Sequence, residues 1–285
     1  MTTTDSTAEH VAGPATGTQR LLDLFSMHDD IVVVTGASSG IGRAAAEIYA
    51  DAGATVVVLG RDQHRLDEVR DAIAATGGTA HAYAADLAAP GAVDEVLARI
   101  VAEVGRPTVV VANAGIAGGG SYRTEDGAIG RYSDEEWRDV VATNLNGTFE
   151  TVRAAARVLP DHGRILVTSS TAGLRTDPMV SYAYGATKAG IINLARQAAL
   201  ELAPRGIRVN VIAPGPFKGT RIGGDAVLDE AGERMWEETI PLARMGTMAE
   251  IQAPMLFLVA PGNSFVTGAV LAVDGGALAL SHGMF

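Results

Sequence analysis

The chain has 285 residues, of which 34 are glycine and none is cysteine, and its 33 acidic against 22 basic side chains give a formal charge of −11. The missing cysteines exclude a disulfide scaffold, a thiolate zinc site, an iron–sulfur cluster and a cysteine nucleophile, and the negative charge argues against a protein built to grip nucleic acid or anionic membrane. Hydrophobic residues make up 47%, enough for a substantial core and too many for a disordered chain.

In chain order, residues 1–28 read as a disordered or weakly ordered arm. Leu21, Leu22, Leu24 and Phe25 are expected to dock as one short helical turn at its end. Met1–Gln19 lacks the apolar stretch of a signal peptide, and no apolar run reaches the ~18 residues of a membrane helix, so the expected address is the cytosol. From Ile31 an alternation begins. Strands are predicted at Ile31–Thr35, Thr55–Leu59, Thr79–Ala84, Val109–Ala112, Arg164–Ser169, Arg208–Ile212 and Ala269–Val273. Between them helices are predicted at Gly40–Ala52, Gln63–Thr76, Pro90–Val104, Asp134–Arg157, Tyr184–Ala203, Glu233–Ile240 and Ala249–Leu258. The strand runs are continuously apolar, as in strands buried on both faces. Strands alternating with helices imply an α/β fold with a parallel, doubly wound sheet of about seven strands. No linker interrupts the pattern, so 29–285 is expected to be one domain.

The first strand runs into Thr35-Gly36-Ala37-Ser38-Ser39-Gly40-Ile41-Gly42. A strand, a glycine-rich turn and a helix start make an anion site for a dinucleotide pyrophosphate, with Gly36 at the turn, Gly40 at the phosphate and Gly42 at the helix–strand contact. The residue ending the second strand, about 20 positions on, selects between NAD and NADP. That slot holds Gly60, followed by Arg61 and Asp62. With no acid to repel a 2′-phosphate and a guanidinium beside it, NADP(H) is favoured, with NAD(H) left open. Tyr184 and Lys188 stand four apart at a helix start and share a face. An adjacent ammonium and an oxidised nicotinamide would lower the phenol's pKa toward the range useful for proton transfer. The six histidines show no metal spacing, and no metal is expected.

The spacing T-G-x-x-x-G-x-G resembles that of the short-chain dehydrogenase/reductase family, and further family motifs follow in order. These are Asp86-Leu87, Asn113-Ala114-Gly115, Asn144, Ser169-Ser170 with Tyr184-Gly-Ala-Thr-Lys188, Pro214-Gly215, and Val273-Asp-Gly-Gly276. The resemblance spans residues 30–276 and implies a Rossmann-fold oxidoreductase. It assigns catalysis to Asn144, Ser170, Tyr184 and Lys188. Cofactor contacts would come from Gly36, Ser38, Ser39, Gly40, Ile41, Gly42, Arg61, Asp86, Leu87, Asn113, Ala114, Gly115, Tyr184, Lys188, Pro214, Gly215 and Phe217. Ser170 would hydrogen-bond the substrate oxygen, Lys188 would hold the nicotinamide ribose, and Asn144 would hold a water leading from Lys188 to solvent. The family spaces its serine thirteen residues before the tyrosine, whereas Ser170 is fourteen before Tyr184. The anchor Thr168-Ser-Ser-Thr-Ala-Gly173 favours Ser170, with Thr171 or Ser169 as fallback. The family's threonine after Pro214-Gly215 falls on Gly219, one before Thr220.

By resemblance the substrate is a small carbonyl compound or alcohol, the assembly a homotetramer, and Phe217–Trp236 the substrate-covering region with hinge freedom at Gly219, Gly223 and Gly224. Met235 and Trp236 line an apolar pocket or pack in the core. The insertion from Gly118 to Ser133 reads as an active-site rim or a tolerated surface loop. Leu278–Phe285 is expected to bury against a neighbouring subunit. A 3-oxoacyl-thioester (acyl-carrier-protein) reductase fits the same motifs. A non-catalytic dinucleotide-binding regulator would need a broken Tyr–Lys pair.

Overall fold

A computed structural model describes residues 17–220 and 230–280. The expected hinge glycines Gly223 and Gly224, and residues 281–285 of the expected terminal contact, lie outside them. Seven strands form one all-parallel sheet: β1 (Ile31–Thr35), β2 (Thr55–Gly60), β3 (Thr79–Ala84), β4 (Val109–Ala112), β5 (Arg164–Thr168), β6 (Arg208–Pro214) and β7 (Val270–Val273). Their order in space is β3-β2-β1-β4-β5-β6-β7. The order reverses between β1 and β4, and a doubly wound sheet binds its ligand in the crevice at such a point.

Successive side chains leave a strand on opposite faces. Val33 therefore joins one core and Val32 and Val34 the other. The first core is covered by α4 (Ala92–Glu103), α6 (Gly147–Val158) and α7 (Tyr182–Leu202). The second is covered by α2 (Gly40–Asp51), α3 (Gln63–Ala75) and α9 (Met248–Val259). Both faces need apolar side chains, which is why the strand runs do not alternate. Short α1 (Gly17–Asp23) buries none of its residues. Packing begins after it, because Met27 is buried and its N–H donates to the Ala52 carbonyl at 2.8 Å.

The helix expected over Asp134–Arg157 is broken. It consists of α5 (Asp134–Val140), one π-helical turn (Val141–Asn146) and α6, and the Gly147 N–H reaches back five residues to the Ala142 carbonyl. Such a turn inserts one residue into a helix and is found at functional sites. Here it carries Asn144. The last described helix before α9 is α8 (Glu230–Glu237).

Candidate active site

The loop after β1 closes against the end of β4. Asn113 Nδ2 donates to the carbonyls of Thr35 at 3.0 Å and Gly36 at 3.3 Å, while Thr35 Oγ1 accepts from the N–H groups of Asn113 and Ala114 at 2.9 and 3.1 Å. A Cβ on Gly42 would stand 2.3 Å from the Gly36 carbonyl oxygen, so only glycine lets α2 start this close to the strand. Ser39 is the N-cap of α2, yet its side chain makes no capping hydrogen bond. The first-turn N–H groups and the helix dipole are thereby left facing the crevice. This cradle fits a dinucleotide pyrophosphate. A cleft of about 400 Å³ runs from it, with Gly36, Ser38, Ser39, Gly40, Ile41 and Gly42 on its wall.

One end of the cleft is walled by Gly60, Arg61, Asp86 and Leu87, and by Arg65, which the sequence reading missed. Asp62 is the N-cap of α3: its side chain accepts from the Arg65 N–H at 3.2 Å, and its carboxylate also lies 3.4 Å from Arg65 Nε. The acid beside Arg61 is thus engaged with the helix it starts.

At the other end lie Asn113, Ala114, Gly115, Thr168, Ser169, Tyr184, Lys188 and Pro214. Ser181 caps α7, accepting from the Tyr184 N–H at 3.2 Å and donating to the Ala117 carbonyl at 2.8 Å. This ties the start of the helix to the chain leaving β4. Tyr184 and Lys188 are both buried, with Lys188 Nζ 5.6 Å from the phenol ring centre and donating to the Thr168 carbonyl at 2.9 Å. Asn144 is wholly buried, and its side-chain amide pairs with both the N–H and the carbonyl of Ile116 at 2.8 Å. A Cβ on Gly115 would stand 3.3 Å from Asn144 Oδ1 and 3.4 Å from Lys188 Nζ. The three groups therefore meet over that glycine.

The two serines are engaged differently, and the cleft wall includes Ser169 but not Ser170. Ser169 Oγ donates to the Lys188 carbonyl at 2.7 Å, anchoring α7. The Ser170 hydroxyl instead lies at the Tyr184 phenol and accepts from the Ala172 N–H at 3.2 Å. Burial pushes Tyr184 up to about 12, opposed by the Ser170 hydroxyl and reinforced by the Asp177 carboxylate. Burial also brings Lys188 down to about 8. The expected lowering of Tyr184 by its lysine is not found: burial dominates, and the group that opposes it is the Ser170 hydroxyl.

A family model described as enoyl-(acyl carrier protein) reductase matches residues 36–277. The chain belongs to the short-chain dehydrogenase/reductase family. Among its relatives in the family is an L-rhamnose 1-dehydrogenase (NAD(P)(+)) of Azotobacter vinelandii. It is 40% identical over 256 residues, which is 87% of this chain and 96% of the relative. The 3-oxoacyl-[acyl-carrier-protein] reductase of Escherichia coli is 36% identical, covering 86% of this chain and 96% of that one. A solved structure from Beutenbergia cavernae, described as a candidate NAD(P)-dependent gluconate 5-dehydrogenase with bound NADP at low occupancy, superposes with a TM-score of 0.78. It is 36% identical and covers 90% of this chain and 100% of that one. The chain is accordingly an NAD(P)-dependent oxidoreductase of this family acting on small molecules. No helix among the described residues is long and apolar enough to cross a membrane.

Other family positions are placed differently from the expectation. Phe217 is buried in the core with Ile212 and Ile251, its ring filling the space that a Cβ on Gly246 would need. Gly215 packs against Asp274, its N–H donating to the Val273 carbonyl at 2.9 Å, and neither it nor Phe217 is on the cleft wall. Thr220, one residue off the family spacing, is on that wall. A second cleft of about 610 Å³ opens beyond Ser170, walled by Thr171 and Pro216 and by Trp236 of α8. The 118–133 insertion reaches it from behind, with Arg123 Nη1 lying 3.7 Å from Sδ of Met179, a residue of its wall.

Proposed function

We propose that the chain interconverts a ketone or aldehyde and a secondary alcohol, with NADP(H) preferred over NAD(H), and with Asn144, Ser170, Tyr184 and Lys188 as its catalytic residues. The observation that carries this reading is the convergence of buried Tyr184, Lys188 and Asn144 at one end of a cleft whose middle is a phosphate cradle. When bound, the nicotinamide supplies or accepts the hydride. Tyr184 gives the carbonyl oxygen its proton, and takes the hydroxyl proton in the reverse direction. Its raised pKa keeps it protonated at neutral pH, the form that reduction needs. Ser170 donates to the same oxygen as negative charge develops there. Lys188, charged below about 8, stabilises the phenolate left behind.

The NADP(H) preference rests on Arg61 and Arg65 at the end of the cleft beyond the cradle, with Asp62 engaged in capping α3. A 3-oxoacyl-thioester reductase is the second reading, favoured by similarity to the Escherichia coli reductase. The charge of −11 is poorly suited to an acidic carrier partner. A regulator without catalysis would not need an intact Tyr184–Lys188 pair. Cytosolic location and a homotetramer belong to the proposal by family resemblance. The test is Tyr184→Phe. Turnover, followed by absorbance of the reduced nicotinamide, should be abolished with cofactor binding retained, and full activity in that variant overturns the mechanism.

A further inference from the structure

The second cleft begins at Thr171, the residue after Ser170, and has room for the part of a substrate beyond its reacting carbonyl. The chemistry of that wall bears on substrate class, and the argument rests on the function proposed above. Asp177 lies on the loop between Ser170 and Tyr184, where the chain carries one residue more than the family spacing, and it lines this cleft. Its Oδ1 accepts from the Met179 N–H at 2.9 Å, which fixes the carboxylate. Its carboxylate is the smallest of the influences on the Tyr184 phenol, which it raises. Exposed Glu238 adds a second carboxylate at the rim. Arg175 keeps its positive charge on the same wall, its Nη1 donating to the carbonyls of Ala277 at 2.7 Å and Leu280 at 3.3 Å, while Glu237 is paired with Lys218 at 3.1 Å. Trp236, half-buried, brings a flat apolar ring to the same cleft.

A fixed carboxylate is an acceptor for neighbouring hydroxyl groups. An indole face packs well against the C–H face of a compact polar molecule while tolerating water at its edge. An acyl chain in the same place would desolvate Asp177 without giving it a partner, and an anionic substrate would meet the carboxylates of Asp177, Glu237 and Glu238, which outnumber the Arg175 guanidinium on this wall. We propose that this cleft selects a neutral polyhydroxylated carbonyl compound or the matching polyol. Asp177 accepts from the hydroxyls of the part of the substrate that enters this cleft, and Trp236 packs on its carbon skeleton. The reaction remains the hydride and proton exchange above, with the hydride passing between the substrate carbon and the nicotinamide and the proton between the substrate oxygen and Tyr184.

The test uses the chain's two tryptophans. Trp137→Phe leaves Trp236 as the sole reporter. The NADP-loaded variant is titrated with neutral hexoses and hexitols, with gluconate, with an amino alcohol and with acetoacetyl thioester, and turnover is measured on the same panel. A saturable change in Trp236 emission is expected with neutral polyols. Their kcat/KM should exceed that of gluconate and the thioester by about tenfold or more. Asp177→Asn should close most of that gap through KM, with the dissociation constant of NADP unchanged. A wild-type preference for gluconate, the amino alcohol, the thioester or an unsubstituted ketone overturns the proposal, as does an Asp177→Asn variant with an unaltered preference. Tyr184-dependent turnover of one of those other classes would sink the substrate class and leave the oxidoreductase reading standing. No nicotinamide turnover with any class would sink both.

Discussion

Gly115→Ala isolates the contact on which the active-site geometry turns. Gly115 does not have a positive φ, so alanine strains no backbone there. Its methyl would stand 3.3 Å from Asn144 Oδ1 and 3.4 Å from Lys188 Nζ, a few tenths of an ångström too close for comfort. Asn144 cannot retreat, because two 2.8 Å hydrogen bonds hold it to Ile116. The lysine tip moves instead and loses its 2.9 Å bond to the Thr168 carbonyl. A hydrogen bond from a charged donor is worth about 1.5–3 kcal/mol, which in a barrier is roughly ten- to a hundredfold in kcat. Overpacking adds about 1 kcal/mol of lost stability, a drop of about 2–4 °C in Tm at this chain length. Steady-state kinetics, NADPH titration by fluorescence and a thermal melt measure the three effects separately. Gly130→Ala is the control, since a Cβ there meets nothing within 4 Å. A Gly115→Ala enzyme with kcat within about twofold of wild type and an unshifted melt would refute the reasoning.

Three further outcomes follow from the same geometry. Ser170→Ala should cost about a hundredfold in kcat with little change in the melt. Ser169→Ala should do the reverse, losing about 1 kcal/mol of stability with its bond to the Lys188 carbonyl, and equal kinetic losses would return the serine assignment to ambiguity. Lys188 is held down to about 8 and Tyr184 up to about 12 by burial. The free enzyme's kcat/KM for reduction should therefore fall above about pH 8 as the lysine loses its proton, and a profile flat through that region contradicts the role given to it. Arg61→Ala should weaken NADPH binding more than NADH, by about tenfold if one charge-assisted bond is lost, whereas equal losses remove the cofactor assignment.

The central strands were legible because they are buried on both faces and so must be unbroken apolar runs, as Ile31–Thr35 and Thr55–Leu59 are, whereas the edge strands β3 and β7 are partly exposed. The glycine loop was legible because its residues act through local backbone geometry. What escaped the sequence depends on partners far along the chain. The π-helical turn at Val141–Asn146 accompanies bonds between Asn144 and Ile116, 28 residues apart. Nothing in the helical pattern of Asp134–Arg157 encodes them. Arg65 reaches the cleft from the first turn of α3, which Asp62 caps, four residues beyond the Arg61 that directly follows β2. Phe217 follows a cofactor motif, yet its ring turns into the core against Gly246. A motif position fixes the path of the backbone more firmly than the direction of the side chain.

Two glycines and the lysine's depressed pKa are linked. Desolvation alone lowers Lys188, and it acts only where neighbours exclude water closely. Two glycines permit that closeness. Gly115 lies over the ammonium, and a Cβ on Gly173 would stand 2.6 Å from the Lys188 carbonyl. A larger residue at Gly173 would lift its segment off α7 and admit water to the ammonium, and one at Gly115 would push the ammonium out of its place. The pKa of Lys188 would then move back toward 10.5, and the charge would be better screened from the phenolate it is meant to stabilise. In this fold small residues around the catalytic helix are therefore an electrostatic device as well as a packing one. They keep the dielectric low at the one cation on which proton transfer by Tyr184 depends.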